Sequence, residues 1–226
     1  MTLKLHLHPL SSFCHKVLIA LYENETPFEP VIVNFSDTDS RRAFLDLWPM
    51  GKIPVLQDDA NGVTLPETSI IIEYVHRHYP GSAKLLPEGA EHALQTRLWD
   101  RFFDLYIHMP MQRIVAERLR PQDHLDPHGV AEAYATLDRA YSILEKQMSQ
   151  RLWSSGDHFS LSDCAASPAL FYASILHPFG PDMPNTAAYF ERLMERPSIA
   201  RTIAEARPYF QYFPFKERMP PRFLQG

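Results

Sequence analysis

One run limits what this chain can fold into more than any other. It is Met50-Gly51-Lys52-Ile53-Pro54-Val55-Leu56, followed by Leu65-Pro66-Glu67-Thr68-Ser69. The first part reads as a glycine-marked turn entering an apolar strand with a proline at its start. Proline donates nothing to a sheet ladder, so it belongs at a strand's first residue, an edge or a bulge. With the Ile53–Pro54 bond cis, as in many tight turns, the amide and carbonyl of Ile53 would face away from the sheet. They would then be free to pair with an extended, peptide-like ligand. The second part reads as a helix start, with Glu67, Thr68 and Ser69 leading into Ile70, Ile71 and Ile72. Backbone donors and the dipole at a helix N-terminus favour a carboxylate. A peptide edge beside an anion cradle points to a small anionic peptide as ligand.

The totals narrow the class. The chain has 226 residues, enough for one large or two ordinary domains. Its 45% hydrophobic and 22% charged residues are those of a soluble globular protein. A net charge of −5 without a basic block argues against nucleic acid or an anionic membrane as partner. Leu3-Lys4-Leu5-His6-Leu7-His8 follows the first residues with no signal-peptide pattern, and no apolar run approaches membrane-spanning length. Two cysteines, Cys14 and Cys164, make no disulfide framework. These features place the expected home in a reducing cytoplasm.

Leu3, Leu5 and Leu7 alternate with Lys4, His6 and His8, a half-buried strand. His6 and His8 share a face but have no third ligand nearby, so no metal is expected. A helix through Val17–Tyr22, a strand from Phe28 to Val33 and a short helix within Ser36–Leu47 follow. The Pro54 strand, a turn at 58–62, a strand at Val63–Leu65 and a helix from Glu67 to about His78 complete the first part. The order β-α-β-α-β-β-α is an α/β layer arrangement over residues 1–80. A linker over 81–90 carries Gly81, Pro87 and Gly89. An all-helical domain is expected over 91–226. In it Leu94, Leu98, Phe102, Leu105 and Met109 form an apolar stripe beside a polar one of Arg97, Arg101, Asp104 and His108. A second long helix is expected from about Gly129 to Arg151. Ser160 and Asp163 form a capping box ahead of an apolar helix that belongs in the core. Shorter helices follow near 186–195 and 198–205, and the aromatic, proline-rich tail from Arg207 is expected to lie extended across the body.

Ser11-Ser12-Phe13-Cys14 sits on the turn into the first helix. The spacing from Ser11 to Cys14 is that of a Cys-x-x-Cys motif with a hydroxyl in the first place. That hydroxyl forms no disulfide, but it can donate to a ligand's thiolate, which the helix N-terminus also stabilises. The competing reading makes Ser11 or Ser12 a helix cap only. Cys14 is either a rival thiolate or a small buried hydrophobe, Cys164 is packing, and Glu67 and Thr68 are otherwise just another cap.

Taken together these runs resemble the soluble glutathione transferases, in a bacterial-like form with a serine-type site. The features that carry the resemblance are the Ser11–Cys14 turn before Lys16-Val17-Leu18-Ile19-Ala20-Leu21, the Gly51–Leu56 run, Glu67-Thr68 and the Ser160–Asp163 box. It implies a thioredoxin-like N-terminal domain, an all-α C-terminal domain and a homodimer. It also implies glutathione as co-substrate with no metal, and transfer of its thiol to a small hydrophobic electrophile, as in detoxification. By the same resemblance Ile53, before Pro54, pairs with the cysteinyl backbone of glutathione. Glu67 and Thr68 hold the γ-glutamyl carboxylate, Lys52 lies near the glycyl carboxylate, Phe13 flanks the thiol and Ser11 activates it. Asp100 or Asp104 of a partner's long helix would meet the γ-glutamyl ammonium. The electrophile would sit between Ser11, the Phe102–His108 segment and the aromatic tail. The doubled serine resembles the zeta class, from whose Ser-Ser-Cys-Ser run Phe13 and Cys14 depart. Two alternatives stand beside this reading: a glutathione-dependent thiol reductase using Cys14, and a non-catalytic protein that kept the scaffold.

Overall fold

The computed structural model describes residues 3–225. Strands β1 (Leu3–Leu7), β2 (Phe28–Ile32), β3 (Val55–Asp58) and β4 (Val63–Leu65) form one sheet in the order β2-β1-β3-β4. β1 runs parallel to β2 and antiparallel to β3, and β3–β4 is an antiparallel hairpin. Leu3, Leu5 and Leu7 are buried, as their alternation dictates. His6 bonds Gln57 and His8 accepts from the Leu10 amide, so both rings have protein partners. Helices α1 (Ser12–Glu23), α2 (Thr38–Leu47) and α3 (Thr68–His78) complete a thioredoxin-like N-terminal part.

The remainder is helical. α4 (Ala90–Phe102) continues through a π-helical segment, Phe103–His108, into α5 (Met109–Glu117). α6 (Pro127–Met148), α7 (Leu161–Leu176), α8 (Pro184–Met194) and α9 (Pro197–Ala206) follow. Every residue of α7 except Ser174 is buried, and the Ser160–Asp163 box is formed at its start. Asp163 is the hub of that start. It accepts from the Ser154 and Ser160 amides and from the Tyr189 hydroxyl. No helix among the described residues is long and apolar enough to cross a membrane.

Two expectations are corrected. The tail is not extended: it winds into 3-10 turns at Arg207–Tyr212 and Lys216–Arg218 and the single-turn α10 (Pro221–Leu224). Burial of Phe210, Phe213 and Phe223 against Phe171 and Tyr172 of α7 draws the chain inward at this spacing. The stripes of α4 and its continuation also exchange roles in part, with Phe102 still buried and Arg97 and Arg101 still exposed. Leu94, Leu98, Leu105 and Met109 are more than half exposed, whereas Asp100, Asp104 and His108 are buried. The cause is Lys16, fully buried in α1, whose ammonium needs anions. Its Nζ lies 2.6 Å from Asp100 and 2.8 Å from Asp104.

Candidate active site

The loop before β3 and the starts of α1 and α3 meet on one side of the sheet. The Ile53–Pro54 bond is cis. Ile53 precedes the ladder, and among the described residues its N–H and C=O enter no backbone hydrogen bond. Glu67 holds φ at +68°, a conformation costly for a residue with a side chain, and caps α3 without a side-chain hydrogen bond. The first amides of α3 are therefore open to an external acceptor.

A cavity of about 210 Å³ lies here, lined by Phe13, Lys52, Ile53, Pro54, Glu67 and Thr68 from the N-terminal part. These are six of the seven residues singled out in the sequence. Trp48, Pro66, Arg101, Asp104, Leu105 and Met109 close it. Sequence reasoning missed Arg101 as a wall of this site. Arg101 Nη2 bridges the network by donating to Asp100 (3.0 Å), to Ser69 (2.5 Å) and to Asp104. Asp104 Oδ1 is buried without a hydrogen-bond partner. Burial raises the Asp104 carboxyl above its ordinary range, with Lys16 pulling the other way. Asp100 and Asp104 thus pair with Lys16 of their own chain.

The seventh residue, Ser11, lines an adjoining cavity of about 610 Å³. Ile53 lines both cavities. Ser11 is the N-cap of α1 but makes no side-chain cap bond, so its hydroxyl is not used up by the helix. Ser12 accepts from Gln112 Nε2 at 2.8 Å and contacts His108 Nε2 at 2.6 Å. The far wall is Met111, Gln112, Val115 and Leu119, with Tyr212, Phe213 and Pro214 of the tail. The expected wall at Phe102–His108 is therefore displaced a turn or more along the helix, because the π segment turns inward toward α1. No Asp, Glu, Lys or Arg lines this cavity.

Cys14 is fully buried, and burial pushes its thiol up to about 12, offset only in part by hydrogen bonds from Ser11 and the His8 backbone. A thiol so buried is poorly placed for exchange with a disulfide, which weighs against the reductase alternative built on it. Cys14→Ala is expected to leave turnover within twofold or so of the parent. Steady-state kinetics check this, and a loss of turnover at unchanged stability would restore Cys14 as a candidate.

The "Glutathione S-transferase, N-terminal domain" family matches residues 5–83, and "Glutathione S-transferase, C-terminal domain" matches residues 127–192. The chain is 29% identical over 219 residues to glutathione S-transferase hmp2 of Hypomyces subiculosus, covering 92% of this chain and 100% of that protein. It is 30% identical over 234 residues to the dichloromethane dehalogenase of Methylorubrum extorquens, covering 90% and 75%. A glutathione S-transferase from Methylobacillus flagellatus, solved with GSH bound, superposes with a TM-score of 0.80 at 25% identity, covering 89% of this chain and 98% of that one. The chain belongs to the glutathione S-transferase family.

Proposed function

We propose that this protein binds glutathione across the two cavities and transfers its thiol to a small, uncharged, hydrophobic electrophile. The observation that carries the reading is the unpaired backbone of Ile53 between an anion cradle and an uncapped serine. The cysteinyl backbone pairs with Ile53 and the γ-glutamyl carboxylate sits on Thr68 and the α3 amides. The ammonium meets Glu67 and Asp104 Oδ1, and the glycyl carboxylate meets Lys52. The thiol then falls at the start of α1, where Ser11 donates to it and the helix dipole favours its ionised form. The larger cavity has no charged side chain, and burial keeps His8, its one imidazole, toward the neutral form. Such a wall favours an uncharged acceptor, because an unpaired charge would lose its hydration there.

The M. flagellatus protein was solved with GSH, which supports the same ligand here. The exposed Leu94, Leu98, Leu105 and Met109 stripe supports a homodimer. A cytoplasmic location fits two unpaired cysteines. Glu67→Ala is expected to raise the KM for glutathione on the order of tenfold with a much smaller change in kcat, since charge-assisted bonds contribute roughly 1.5–3 kcal/mol. Titrating turnover against glutathione checks this; an unchanged KM would remove Glu67 from the site.

A further inference from the structure

Four polar residues recur at intervals of four along one helical path: Asp100, Asp104, His108 and Gln112. At 3.6 residues per turn each such step drifts by about 40° around the axis, so a regular helix would fan them apart. The wider π segment Phe103–His108 takes up that drift. The first two meet Lys16. The last two meet Ser12.

His108 is completely buried, with its ring stacked on Phe13 at 3.8 Å between centroids and 9° between planes. Burial drives its pKa well below the ordinary value, and Lys16 and His15 push the same way. The ring is therefore neutral and carries a single N–H. Its Nδ1 has no hydrogen-bond partner, while Nε2 lies 2.6 Å from Ser12 Oγ. A buried N–H left without an acceptor is among the rarest defects in folded proteins. The proton accordingly belongs on Nε2, donating to Ser12, with Nδ1 as the bare nitrogen. Gln112 Nε2 donates to the same oxygen. Both lone pairs of Ser12 are then occupied, and its own O–H has no acceptor among the described residues. Ser12, Gln112, Ser11 and Ile53 all line the larger cavity.

We infer that Ser12 is a second hydrogen-bond donor to the glutathione sulfur, fixed as a donor-only hydroxyl by His108 and Gln112, which act as positioning residues. The inference rests on the reading that glutathione occupies this site. Its geometry differs from that of Ser11, whose hydroxyl has no such pair of donors behind it. The sulfur receives one donor from the cap position and one from the first residue of α1.

Two measurements on the full-length enzyme test it. Nitrogen NMR of histidine-labelled protein reads the tautomer of His108, expected to be protonated at Nε2. Protonation at Nδ1 would mean that Ser12 donates to the ring, and would overturn the inference. Ultraviolet titration of bound glutathione reads its thiol pKa, with calorimetry reporting glutathione affinity on each variant. Ser12→Ala is expected to raise that pKa by roughly 1 to 2 units, the worth of one charge-assisted bond, and Ser12→Thr to keep it low. His108→Phe, which retains the stack on Phe13, should raise it by less and add nothing in the Ser12→Ala background. Glutathione binding with an unmoved thiol pKa in Ser12→Ala overturns this inference alone. Failure of the parent enzyme to bind glutathione overturns the proposed function, and this inference with it.

Discussion

Ser11→Ala is expected to lower kcat/KM for glutathione conjugation on the order of 10- to 100-fold while leaving the thermal midpoint within a degree or two. The size follows from one hydrogen bond to a charged partner, roughly 1.5–3 kcal/mol, at about 1.4 kcal/mol per tenfold in rate. Stability is spared because the Ser11 side chain makes no cap bond and gives up only its contact with the buried Cys14 thiol. The rate loss should shrink as pH rises through the thiol pKa, since hydroxide removes the proton that Ser11 otherwise helps to displace. Initial rates against pH, with melting curves on the same samples, check both halves. Unchanged turnover would transfer the activating role to Ser12.

Lys16→Met is expected to produce the largest stability loss of any single change near the site, about 3–5 kcal/mol. Lys16 is fully buried: its ammonium is enclosed by Asp100, Asp104 and Ser69. Removing it leaves two buried carboxylates with only the half-exposed Arg101 as cation. At roughly 2–4 °C per kcal/mol for a chain of this size, the thermal midpoint should fall by about 6–20 °C. Burial already raises the Asp104 carboxyl, and Lys16 is the first influence opposing that rise. In the variant the folded chain should bind more protons than the unfolded one over a wider range above the ordinary carboxylate value. Stability then falls as pH rises through that window, so the deficit relative to the parent should narrow on acidification. Adding Asp100→Leu and Asp104→Leu should recover much of the loss, because apolar packing can replace a buried ion cluster. Denaturant melts at two pH values decide the matter; a deficit below about 1 kcal/mol would show that the cluster is not buried as described.

What the sequence made legible was local chemistry. Strand alternation at Leu3–Leu7, the Ser160–Asp163 box and the paired walls at Ile53 and Glu67-Thr68 each depend on a few adjacent residues. What it hid depended on distant partners. Asp104 and His108 stand in a polar stripe whose sequence neighbours do not show what they pair with; the signal is Lys16, a charge immediately before the run Val17–Leu21 of a helix otherwise buried. Gln112 was passed over because the four-residue interval leading to it matters only once a π turn keeps it on one face. The prolines of the tail, which break helices, predict an extended path. Its phenylalanines, drawn onto α7, wind it into short turns instead. The positive φ of Glu67, at a residue type that rarely adopts it, leaves no mark in the sequence.

Ile53, the start of α3 and the start of α1 are proposed to hold one glutathione molecule with its sulfur at Ser11. A crystal structure with glutathione bound tests it most directly. The expected result is the cysteinyl backbone paired with Ile53, the γ-glutamyl carboxylate on the Thr68 end of α3, and the sulfur within hydrogen-bond reach of Ser11 Oγ. A sulfur lying away from the start of α1, or glutathione bound in the separate groove beside Tyr22 and Arg201, would contradict it.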